Sequence, residues 1–116
     1  MRAQAKSSLP LFSYRMKTAR VKSGISQSQL GILAGIDEFC ASARINQYER
    51  GKHTPDFLTA QHLAKVLGVP TAYFYTEDDN LAELIAAFGQ MKISERKALI
   101  GYAESLINKT ETHRQK

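Results

Sequence analysis

The sequence contains few residues that could cross-link the chain or anchor it in a membrane. Among its 116 residues there are one cysteine, three prolines and no tryptophan. No apolar run approaches the roughly 20 residues that cross a bilayer, and the charged start of the chain lacks the apolar core of a secretion signal. A single cysteine excludes an internal disulfide and suits the reducing cytoplasm. The length of the chain predicts one domain.

Positive charge is concentrated at the start of the chain. Residues 1–25 hold six bases and no acid, whereas the remaining residues hold ten bases and eleven acids. Basic segments of this kind contact phosphate in nucleic-acid-binding proteins, although a charged terminus is also commonly just solvated. We expect residues 1–11 to form a flexible basic arm.

The residue types that support catalysis or metal binding are few and scattered. His53, His62, His113 and Cys40 are the only soft metal ligands, and their spacing matches no zinc site. The sequence contains no metalloprotease motif, phosphate-binding glycine loop or nucleophile elbow. It therefore predicts no enzyme, no cofactor and no metal site, and we expect Cys40 to be buried as a small apolar residue.

Apolar residues recur at helical spacing along the chain, and no segment alternates as a strand does. Gly24 and Gly68 follow two of the helical segments, as left-handed C-terminal caps do. The Ser-Gln-Ser-Gln run at 26–29 has the spacing of a capping box, and Asp56 suits the N-cap of a later helix. The sequence therefore predicts an all-α fold.

Two short helices that meet near Gly35 suggest a helix-turn-helix, and the residues around them resemble a known family. The matching segments are 26–30, 33–35, 44–52, 54–55 and 63–70, which include the run Tyr-Glu-Arg-Gly at 48–51. They are similar to the phage-repressor and Cro type, also called XRE-like, over residues 12–76. The resemblance implies a lambda-repressor-like five-helix DNA-binding domain, here followed by two additional C-terminal helices.

The resemblance also implies roles for individual residues. The third helix would lie in the major groove of double-stranded DNA, with base contacts from Ser42, Ala43, Arg44 and Gln47. Phosphate contacts would come from Gln27, Ser28, Arg50 and Lys52. Arg20 and Glu49 match an interior ion pair that orients the first and third helices. An alternative for Arg44 is a contact with phosphate alone.

One segment departs from the family pattern. Between Gly35 and Tyr48 lie twelve residues instead of about eight, which adds close to one helical turn. One possibility is that Asp37 N-caps a lengthened third helix, which would bring Phe39 near the DNA-facing side unless the helix bends. The other is that residues 36–41 form a wider turn.

The last two helices, predicted at 81–88 and 95–107, exceed the five-helix module. Their apolar stripes either wrap the module or form a dimer interface, and we favour the interface because binding to two half-sites requires two copies. The predicted interface residues are Leu84, Phe88, Leu99, Ala103 and Leu106. The chain would thus consist of the arm 1–11, the DNA-binding domain 12–76, the dimerisation helices 77–109 and a disordered tail 110–116.

The sequence favours a transcriptional regulator, and more specifically a repressor that binds an inverted-repeat operator as a homodimer. Two alternatives use the same fold. One is an antitoxin that binds its own promoter and docks a protein partner on its C-terminal helices. The other is a protein-interaction module that does not bind DNA, which the presence of Arg44 and Gln47 disfavours.

Overall fold

The computed structural model of the protein describes residues 9–115, with side chains for residues 9–109. Within this range the chain forms six α-helices and one 3₁₀ helix, and no strand. The α-helices are α1 (Leu11–Ser23), α2 (Gln27–Leu33), α3 (Ala41–Glu49), α4 (Phe57–Leu67), α5 (Asp79–Gly89) and α6 (Ile93–Gln115), and the 3₁₀ helix is Thr71–Tyr75. The all-α prediction is confirmed, and the predicted basic arm lies largely outside the described residues.

Local signals in the sequence set several of the helix boundaries. Gly24 and Gly68 end α1 and α4 with φ values of 76° and 73°, a left-handed conformation that glycine adopts without steric cost. At the start of α2, the Ser26 hydroxyl accepts the Gln29 N–H and the Gln29 side chain accepts the Ser26 N–H. This reciprocal pair is the predicted capping box, and it fixes where the first helix of the helix-turn-helix begins.

One hydrophobic core joins the first four α-helices and the 3₁₀ helix. The five largest completely buried side chains are Met16, Leu30, Ile45, Leu63 and Phe74. Each of them comes from a different one of these five elements. Because burial of such a side chain stabilises the fold by roughly 1.5–3 kcal/mol, all five elements contribute to one folded unit.

A buried arginine ties this unit to α5. Arg15 of α1 is 4% exposed, and its guanidinium donates to the carbonyls of Thr76 and Glu77, which precede α5. It also lies 3.0 Å from the carboxylate of Asp79 in the first turn of α5. Since Ala82 is buried in the core as well, α5 packs on the domain.

The corner between α5 and α6 is held by side chains that bind backbone carbonyls. Arg96 donates to two carbonyls at the end of α5, at 3.0 and 3.3 Å, and its guanidinium lies over the Phe88 ring. Gln90 donates to the Gly68 carbonyl, which fixes the corner on the end of α4. From this corner α6 projects outward: the molecule extends 63 Å in one direction but only 33 and 23 Å in the others.

The last helix is longer than the sequence analysis suggested. Its backbone is helical from Ile93 to Gln115, through most of the segment 110–116 for which we expected disorder. No glycine or proline follows Gly101, so the sequence contains no signal that would end the helix at 107.

Candidate nucleic-acid interface

The helices α2 and α3 form the two helices of the helix-turn-helix, and they cross at very short distance. A Cβ atom added at Gly31 of α2 would lie 2.7 Å from the Cβ of Ala41 on α3. Any larger residue at position 31 would therefore push α3 away. Leu30 of α2 and Ile45 of α3 are completely buried, so the angle between the two helices is set by packing as well as by this close approach.

A buried carboxylate on α3 connects the first three helices. Glu49 is 3% exposed, and its two oxygens accept hydrogen bonds from Nε and Nη2 of Arg20 on α1. The third donor, Arg20 Nη1, binds the Ile25 carbonyl at 2.9 Å. Arg20 and Glu49 thus form the ion pair that the resemblance implies. Because both charges are mostly removed from water, each is costly to leave without the other.

Gln27 is turned inward and completes this network. Its Nε2 atom donates to Glu49 Oε1 at 3.0 Å and to Asn46 Oδ1 at 3.2 Å. Both amide hydrogens are used inside the protein, and the remaining amide oxygen only accepts hydrogen bonds, as a phosphate oxygen does. In this structure the amide N–H groups of Gln27 are thus turned toward Glu49 and Asn46, and the predicted phosphate contact stays a prediction. The side chain holds α2 against α3.

The four residues predicted to contact bases lie outside the buried stripe of α3. The solvent-facing side carries Ser42, Ala43 and Arg44, which are exposed, and Gln47, which is half-buried. The opposite side carries the buried Ala41, Ile45, Tyr48 and Glu49. At about 100° per residue, Ala43, Arg44 and Gln47 lie within about 100° of one another and away from the buried set, whereas Ser42 lies at its edge, about 20° from Glu49. The structure thus leaves these four side chains accessible on a helix whose other side is fixed in the core.

The residues predicted to contact phosphate lie in the first turn of α2 and directly after α3. Ser28 in the first turn of α2 is half-buried, while Arg50 and Lys52 directly after α3 are exposed. The end of α3 is held on α1 by Ser13, whose hydroxyl donates to the Tyr48 carbonyl at 2.6 Å. The two bases after α3 therefore start from a fixed point of the backbone.

A cleft of about 530 Å³ lies beside the exposed side of α3. It is lined by Arg44 and Gln47 of α3 and by His53 and Asp56 from the segment before α4. The pKa of Asp56 is held below its ordinary value, mainly by a hydrogen bond from the Thr59 side chain and to a smaller extent by one from the Thr59 backbone N–H. The Asp56 carboxylate is thus ionised at neutral pH, and the cleft has both a cationic and an anionic side chain at its rim.

The extra residues before α3 form a wider turn and not an additional turn of helix. The Asp37 carboxylate accepts the Phe39 N–H at 3.1 Å, and the Asp37 carbonyl accepts the Cys40 N–H at 2.9 Å. Helix α3 begins only at Ala41. Asp37 therefore stabilises the turn and does not cap a lengthened α3, and Phe39 stands 88% exposed on it.

Cys40 is a free and exposed thiol, so the expectation that it is buried is wrong. Because α3 begins after the turn, its first buried position is Ala41 and not Cys40. Among the residues that the structure describes, no group of His, Cys, Asp or Glu side chains is placed to hold a metal ion. No helix in this part of the chain has the length and apolar character needed to cross a membrane.

The residues predicted to form a dimer interface lie along α5 and α6. Leu84, Ala103 and Leu106 are exposed, and Phe88 and Leu99 are half-buried. Ile100 and Ile107 extend the same side of α6 and are 50% and 58% exposed. The described part of the chain thus leaves an apolar side of α6 open to solvent.

Comparisons with known proteins agree with this architecture. A family model described as helix-turn-helix matches residues 16–74. The crystal structure of the transcriptional regulator BswR superposes with a TM-score of 0.76; the two chains are 48% identical, and the match covers 83% of this chain and 95% of that one. None of the curated protein sequences matches this chain. The chain belongs to the XRE-type helix-turn-helix family of DNA-binding transcription regulators.

Proposed function

We propose that the protein is a sequence-specific repressor that binds an inverted-repeat operator as a homodimer. The arrangement of α3 carries this proposal. Ile45 and Glu49 fix its buried side, and its N-terminal half presents Ser42, Ala43 and Arg44 to solvent. A helix held in this way can enter the major groove with its exposed side toward the base edges.

The exposed side chains of α3 have the chemistry that base recognition needs. An arginine such as Arg44 can donate two hydrogen bonds to guanine, and a glutamine such as Gln47 can form two with adenine. The small side chain of Ala43 leaves room for a thymine methyl group. We therefore expect a half-site with a guanine at Arg44 and an adenine at Gln47.

Ser28 at the start of α2, together with Arg50 and Lys52 after α3, supplies contacts to the DNA backbone. Such contacts fix the register of a protein on the duplex without distinguishing one sequence from another. They also make binding depend strongly on salt, since each neutralised phosphate releases counterions. In this proposal the register comes from the ends of α2 and α3, and the sequence preference comes from the exposed side of α3.

The homodimer follows from the symmetry of the operator and from the open side of α6. An inverted repeat presents two identical half-sites related by a two-fold axis, which two copies of one chain match. The exposed apolar residues of α6, among them Ile100, Ala103 and Ile107, support pairing of the copies, because contiguous apolar surface marks protein interfaces. Repression then requires only that the bound dimer occupies the promoter.

Replacing Arg44 with alanine tests the base contact. We expect the preference for the operator over random DNA to fall by roughly 1–3 kcal/mol per half-site, because each half-site loses two hydrogen bonds to guanine. Binding to random duplexes should change little. Fluorescence anisotropy titrations of the two labelled duplexes at one fixed salt concentration measure both affinities.

Lys52→Ala is the matched control, since Lys52 is an exposed base just beyond α3 that we assign to phosphate. It should weaken binding to both duplexes equally and reduce the salt slope of the affinity by about 1 for each bound copy of the chain. If Arg44→Ala also weakens both duplexes equally, Arg44 contacts only phosphate and the proposed base contact is wrong.

A further inference from the structure

An exposed phenylalanine is held directly before the base-contacting helix. Phe39 is 88% exposed, more than any other large apolar side chain in the described part of the chain. A phenyl ring in water lacks the stabilisation that burial would provide. The ring therefore adds nothing to the hydrophobic core of the domain.

The turn that carries Phe39 is fixed at both ends. Before it, the Ile36 N–H donates to the Gly31 carbonyl at 2.9 Å, and the Ile36 side chain packs against the core. After it, Ala41 is completely buried against Gly31. Between these anchors the Asp37 carboxylate holds the backbone N–H of Phe39. The ring is thus presented to solvent by an ordered segment of the helix-turn-helix.

Position and apolar chemistry favour a base over a phosphate as the partner of the Phe39 ring. Phe39 precedes Ser42 by three residues, so their Cα atoms lie at most about 11 Å apart, at the helix end that enters the major groove. The turn has no basic residue, and its exposed acids Asp37 and Glu38 would be repelled by phosphates. Base edges carry no net charge, and thymine adds an apolar methyl group to the major groove.

We propose that Phe39 contacts the methyl group of a thymine in each half-site, as one base position beyond those contacted by α3. This inference rests on the proposed DNA-binding function. On binding, the ring and the methyl group cover each other from water, so operators with thymine at this position bind more tightly than those with cytosine. The extra residues before α3 then act as a specificity element of this chain.

Replacing thymine with deoxyuridine tests the contact, because it removes only the methyl group. Each thymine of a duplex selected from a random-sequence pool is replaced in turn, and the affinities of the wild type and of Phe39→Ala are measured. We expect one position at which the wild type loses about fourfold in affinity per half-site, the value of one buried methyl group. Phe39→Ala should bind the unmodified duplex more weakly than the wild type does. Deoxyuridine at that position should not lower the affinity of this variant any further.

Phe57→Ala is the matched control, since it removes the same ring from a 60% exposed position on α4. It should keep the wild-type response to deoxyuridine, and Phe39→Ala should unfold at the wild-type temperature. The inference is overturned if Phe39→Ala keeps the response at every thymine, weakens operator and random DNA alike, or changes only the oligomeric state. If the wild type itself does not prefer the selected duplex over random DNA, the proposed function fails together with this inference.

Discussion

Glu49→Ala is expected to lower the free energy of unfolding by about 3–5 kcal/mol, the range observed when one partner of a buried ion pair is removed. The Arg20 guanidinium, whose side chain is 15% exposed, then keeps its charge without a counter-charge. The Gln27 amide also loses one of its two acceptors. Because small domains are stable by roughly 5–15 kcal/mol, this change removes a large share of the stability. Urea denaturation followed by circular dichroism measures it.

Glu38→Ala provides the matched control, because it removes the same charge from an exposed position in the turn before α3. It should change the free energy of unfolding by no more than about 0.5 kcal/mol. Replacing Arg20 and Glu49 together should cost less than the sum of the two single changes, since neither buried charge is then left alone. Equal effects of Glu49→Ala and Glu38→Ala would show that the buried carboxylate does not hold the three helices together.

We expect that ending the chain after Met91, which removes α6, converts the proposed dimer into a monomer and weakens operator binding by about a hundredfold or more. When one domain of a dimer has bound its half-site, the second domain is present at high effective concentration near the other half-site, which raises the affinity. The shortened domain should still fold, because the buried core lies between Phe12 and Ala82. A cut before α5 would remove Ala82 and destabilise the domain. Sedimentation velocity and operator titration measure the two effects.

Point substitutions test whether the dimer depends on the apolar side of α6 or on the presence of the helix as a whole. Ala103→Glu places a charge on the apolar side, and Ser105→Glu places the same charge roughly 160° away around the helix. We expect the first variant to be a monomer and the second to remain a dimer.

A shortened chain that still sediments as a dimer would place the interface on α1–α5. A wild-type monomer whose operator affinity does not change on removal of α6 would instead favour a different protein as the partner of this helix.

The scaffold of the domain can be predicted from the sequence because its signals are local. Ser26 and Gln29 are three residues apart, and their spacing alone predicts the capping box that starts α2. Gly68 directly follows the last apolar residue of α4 and caps it as expected. Combined with helical periodicity, such signals determine the all-α class and the boundaries of the short helices.

Contacts between distant segments lack such signals. Arg15 is one of six bases near the start of the chain, and its neighbours do not indicate that it is buried against carbonyls 61 and 62 residues away. Gln27 matches the family position, but its side chain points inward because the buried Glu49 of another helix accepts its hydrogen bond. Gly31 stands inside a helix without a break, and only the crossing with α3 explains why no larger residue fits there.

The turn before α3 lies between these two cases. The residue count shows that the segment is longer than in the family pattern, but Asp37 suits both a helix cap and a tight turn. The structure favours the turn because Ala41 is buried against Gly31, which fixes the residue at which α3 begins. The exposure of Phe39 follows from that constraint and not from its own local sequence.

The central claim is that two copies of this chain recognise DNA through the exposed side of α3. Selection of bound sequences from a pool of random double-stranded DNA, with the full chain, tests this most directly. We expect enrichment of an inverted repeat whose identical half-sites lie at one fixed spacing, about 10 base pairs from centre to centre or a multiple of it, with a guanine in each. A pool without any enriched sequence, or with enriched sites that lack two-fold symmetry, would contradict the claim.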